Sequence, residues 1–156
     1  MAVTADHESP FDEDDLRPAV AAVVDVSERG DGWVNFVPEV EAGHEPAQRS
    51  LAAWLFSNRG EPVPLVTWTP AARAGGRATV GISHGTGPRA LGRLAEGGLE
   101  LPAGWLKVTD HARRGVVLAV PAEFDRVEAL RWLLEAARLL CAVPLTGAWL
   151  ALTYFP

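Results

Sequence analysis

The chain has 156 residues, 48% of them apolar and 22% charged, with a formal net charge of −6. That composition fits a globular domain with one sizeable core. It excludes a membrane span, because no apolar run approaches the roughly 18 residues that crossing a bilayer requires.

The acidity is local. Asp6, Glu8, Asp12, Glu13, Asp14 and Asp15 meet no Lys or Arg within residues 1–15, whereas the 14 acidic and 14 basic side chains that follow cancel. Residues 1–18 lack apolar periodicity and read as an acidic, disordered tail with Phe11 as a possible partner anchor. The start has no charged-then-apolar leader pattern, so the expected setting is cytoplasmic. A neutral body lacks the basic footprint of a nucleic-acid binder, and no nucleic-acid partner is expected.

Residues 19–26 (AVAAVVDV) form a short β-branched run before the turn residues 27–32 (SERGDG). With residues 33–37 (WVNFV) they read as a hairpin closed by Pro38. Pro46 suits the first turn of a helix running to about Asn58, with Leu51, Trp54 and Leu55 as its stripe and Gly60 as its stop. Residues 63–69 and 78–83 read as strands, and a short helix is expected from Pro88 to the stop Gly97-Gly98. Residues 105–109 and 116–120 form a second hairpin across DHARRG. The strongest helix signal spans 122–142. Phe124, Val127, Leu130, Leu134, Ala137 and Cys141 recur at helical steps, and Arg131–Glu135 and Glu135–Arg138 are spaced to pair. Residues 148–155 are a last strand.

Two stretches correspond. GWVNFVP at 32–38 parallels GVVLAVP at 115–121, and VTWTP at 66–70 parallels LTYFP at 152–156. The order ββαβ is therefore expected twice, at 19–70 and 104–156, as an internal duplication. The fold class expected is α+β: a mainly antiparallel sheet from two halves, an inserted strand–helix unit at 79–99, and three helices packed on the sheet.

The most specific local chemistry is His84-Gly85-Thr86-Gly87-Pro88-Arg89, a strand end, two glycines and a helix start. Free amides at a helix start attract anions, Thr86 is a plausible N-cap, and Arg89 and Arg93 lie one turn apart. His84, Gly85, Thr86, Gly87, Arg89 and Arg93 are therefore candidates for holding an anion or nucleotide. The run HGTGPRALGRLAEGGL resembles one motif of the ADP-ribosyltransferase superfamily, in which His-Gly-Thr ends a strand and a helix closes on Gly-Leu. That resemblance implies ribose contacts from His84 and Thr86, and a contact from Gly85 to the nicotinamide amide of NAD. The family also stacks nicotinamide on Tyr and uses a later Glu, whereas this chain has one Tyr, Tyr154.

Asp110, His111, Arg113 and Arg114 form a second polar cluster in the hairpin loop. Neighbours in a strand or loop point apart, so these read as solvated charges, and no Ser or Cys stands out as a nucleophile. Cys141 reads as a buried structural thiol. His7, His44, His84, His111 and Cys141 lack the close pair spacings of zinc sites, so neither metal nor cofactor is expected. Six Trp residues suggest core packing or an interaction surface. The function these features suggest first is a non-enzymatic binding or regulatory domain, acting on a protein partner or as a homodimer; the alternative is an enzyme or a nucleotide- or anion-binding protein with its site at the His84–Arg93 turn and helix start.

Overall fold

A computed structural model describes residues 3–47, 52, 57 and 60–156. In chain order the described elements are β1 (His7–Asp12), α1 (Arg17–Arg29), β2 (Trp33–Val40), β3 (Leu65–Thr69), β4 (Thr79–Ser83), α2 (Ala90–Glu96), β5 (Leu106–His111), β6 (Gly115–Ala119), α3 (Arg126–Leu139) and β7 (Leu145–Tyr154). The strands make one seven-stranded sheet of order β1-β7-β2-β3-β4-β6-β5, antiparallel throughout. The fold is α+β, as expected.

Strand alternation puts the apolar side chains on one face. Phe36 pairs with Val66 and Val34 with Trp68. The row continues through Val66–Ile82 and Trp68–Val80 to Ile82–Val116 and Val80–Leu118. All of these are buried. α1 and α3 pack on this face and on each other, while α2 packs on β5 and β6.

Four expectations are corrected. Residues 19–26 lie in helix α1, not in a strand. Their buried members Ala19, Ala22, Val23 and Val26 follow the helical period, Pro18 sits at the first turn, and Gly30 caps the end in the left-handed conformation. The acidic stretch is no disordered tail. Residues 7–12 form β1, an edge strand that tolerates Pro10, and Phe11 stacks on Trp149 within the chain. Pro38 lies inside β2, beside a register shift, and does not end it. The two-fold ββαβ order is not reproduced, because the first strand of the first copy is α1.

The remaining differences are smaller. Of the helix expected from Pro46, residues 48–51, 53–56, 58 and 59, including Leu51, Trp54 and Leu55, lie outside the described residues. Cys141, two residues beyond the end of α3, is half-buried. Along α3, Trp132 and Leu133 are buried and Val127 is exposed. The ion pairs there are Glu135–Arg138 and Glu128–Arg131.

The topology contains two split units. β1 and β2 run the same way around β7, joined by α1, and β4 and β5 run the same way around β6, joined by α2. α3 then carries the chain from β6, past β4, β3 and β2, to β7.

Candidate functional sites

The turn at 84–93 is a closed polar cluster. His84 is fully buried at the end of β4. Its Nδ1 accepts from the Thr86 amide at 3.3 Å and lies 2.9 Å from the Thr86 hydroxyl. Accepting at Nδ1 places the ring proton on Nε2, which has no partner among the described residues. Burial, then the Arg93 guanidinium, pushes the imidazole below its ordinary range, against a smaller upward pull from Asp110.

Gly85 serves close packing: a Cβ there would lie 3.0 Å from the carbonyl oxygens of Gly60 and Glu61. Thr86 is not the N-cap. That position is Arg89, the one non-glycine residue with positive φ among those described (56°), and its side chain makes no cap bond. The cap comes instead from the second cluster. Asp110 Oδ1 accepts from the Ala90 amide at 3.1 Å and Oδ2 from the Leu91 amide at 2.9 Å. Two of the amides that suited an external anion are therefore bonded to the chain's own carboxylate. Arg93 donates to Thr86 Oγ1 at 3.0 Å and to the Gly87 carbonyl at 3.2 Å.

His84, Thr86, Arg93 and Asp110 thus converge, and Arg89 stays exposed. His111 turns to the other side of the hairpin, where its Nδ1 accepts from the amides of Arg113 and Arg114. Gly115 closes that turn with φ 81°, where a Cβ would lie 2.2 Å from the Ile82 carbonyl oxygen. Among the described residues no three His, Cys, Asp or Glu side chains group as metal ligands. No helix among them is long and apolar enough to cross a membrane.

A second site lies on the helical face. After α2, Gly98 adopts φ 94° and the Leu99 amide returns to the Leu94 carbonyl, launching the loop 99–105. Arg77 ties this loop through the Gly104 carbonyl, and Trp132 of α3 ties it through the Glu100 carbonyl at 2.8 Å. Pro121 and Phe124, ahead of α3, form the opposite wall, and Phe124 rests on Trp68 at 5.3 Å. Between them opens a cleft of about 520 Å³. Leu99, Pro102, Trp105, Phe124 and Trp132 supply its apolar walls, with Trp105 and Trp132 in ring contact at 5.4 Å.

The rim of the cleft is acidic: Glu123, Asp125, Glu128 and Glu135 against one guanidinium, Arg131. Asp125 accepts from the Glu128 amide and caps α3. Glu135 is paired with Arg138. Glu128 meets Arg131 only at 3.8 Å, with both side chains well exposed, a contact worth little in water. Glu123 is exposed.

Sequence spacing did not single out this site, because its walls come from three separated segments. The available signals were Trp132 lying off the expected stripe and the acidic first turn of α3. Comparison with known proteins finds no family model, no curated protein and no solved structure that matches this chain.

Proposed function

We propose that this chain is a non-enzymatic binding module whose working surface is the cleft between loop 99–105 and α3, and whose partner is a protein. The observation that carries this reading is the cleft itself. Its volume is that of a ligand pocket, and its Trp and Phe walls are of the kind that anchor partners. A cytoplasmic setting and the lack of a nucleic-acid partner belong to the same proposal, the latter resting on the neutral charge of residues 16–156.

The test is a titration with the neutral solvatochromic dye Nile red. The wild-type chain should give saturable, blue-shifted emission. Ala103→Trp, at an exposed position on the cleft wall, should abolish it while leaving the thermal melt in place. Emission that fails to saturate, or that is equal in the variant, overturns the reading.

A further inference from the structure

Resting on that reading, we propose that the occupant is a basic, amphipathic helical segment of a partner protein: bulky apolar side chains enter the cleft and Lys or Arg face its rim. Charge carries the argument first. Residues 16–156 are neutral overall, yet four carboxylates line this apolar cleft against Arg131; with Arg138, paired to Glu135, and Arg126, 6.0 Å from the Phe124 ring, also counted, the carboxylates remain in small excess. An apolar partner with acidic flanks would meet like charge, whereas one with basic flanks finds complementary potential.

Arg131, on the cleft rim, also borders a groove between α1 and α3 whose apolar lining is Leu16, Val20 and Val127. Asp14, Asp15 and Arg17 edge that groove, and Glu13 and Glu135 edge a recess between it and the cleft that includes Leu134. Apolar recesses with mostly acidic borders therefore meet at Arg131 on the two flanks of α3. Its 14 residues span about 21 Å at 1.5 Å per residue, enough for roughly four turns of a partner helix laid alongside. A second copy is the poorer occupant, because a two-fold contact through this face would set carboxylates against carboxylates.

Fluorescence anisotropy of two labelled peptides against the full chain tests this. Both peptides share one apolar Leu/Phe face about four turns long; one carries Lys on the other face, its twin Glu. The Lys peptide should bind at least about tenfold more tightly than the Glu peptide, and more weakly as salt rises. Replacing two exposed acids together, Glu123→Lys with Glu128→Lys, should invert the preference, and Ala103→Trp should weaken both peptides.

Equal binding of the two peptides, or uptake of Nile red with binding of neither, overturns the basic-partner inference and leaves the cleft reading standing. Lys-peptide binding that is indifferent to Ala103→Trp also overturns it, as charge attraction outside the cleft. Failure of dye and peptides alike removes both.

Discussion

The Asp110 carboxylate joins the two polar clusters by bonding two of the free amides at the start of α2, those of Ala90 and Leu91. Its removal strands two partly buried donors. Asp110→Ala is expected to cost about 1–3 kcal/mol in urea unfolding, and Asp110→Asn, which keeps one acceptor, less. His84 gives a pH signature. Its folded-state pKa lies below the ordinary imidazole value of 6.5, so the unfolded chain binds the proton more readily. The stabilisation from neutral His84 is therefore complete above about pH 6.5 and is lost as pH falls through the lower folded-state value. The melting temperature of the wild type should fall more steeply than that of His84→Gln between neutral and mildly acidic pH. Parallel slopes would show that His84 does not carry the effect.

At the scale of elements, the acidic N-terminal stretch works as clasp and turn. Asp6 accepts from the Phe155 amide at 2.7 Å, and Glu13 from the Trp149 indole at 3.2 Å. Asp12 accepts from the amides of Asp14 and Asp15. The Arg17 guanidinium holds the exposed Asp15 carboxyl down at about 2. Phe11 fills the space between Trp149 and Phe36. Phe11→Ala should cost about 3–5 kcal/mol by denaturant unfolding, whereas a disordered tail would register nothing.

This stretch also shows how pattern reading failed. In β1 only Phe11 is buried, so HESPFD offers no apolar alternation to read. In α1 the run of Ala and Val satisfies strand and helix alike, and the helical spacing of 19, 22, 23 and 26 decided against β-branching. Where one signal dominated, sequence sufficed. The hairpin around Gly115 and the helix capped by Asp125 fall within a few residues of their expected places. The turn at His84 was legible as unusual. Its partner Asp110 was not, because nothing local to either cluster encodes a contact across 20 residues.

Across the whole molecule, the strand order separates two kinds of surface. Loop 99–105 and α3 frame the cleft on the helical side. On the other face, Trp33 stacks on Tyr154 at 5.0 Å, and the Thr67 hydroxyl donates to the Asn35 side-chain oxygen at 2.8 Å.

The position of β7 has a consequence in time. Of the described strands it is the last to be synthesised, yet it lies between β1 and β2 and supplies the hydrogen-bonded neighbour of the first. While the chain is being made, β1 has no sheet to join and Phe11 no Trp149 to cover it. α1 waits with its apolar stripe only partly matched. Closure must come late, through contacts nearly the full length of the chain apart, and the loop entropy of those contacts is lost before any of their stabilisation returns. A nascent chain of this protein therefore emerges with β1 unpaired and α1 only partly covered, open to chaperones until residues 145–154 arrive.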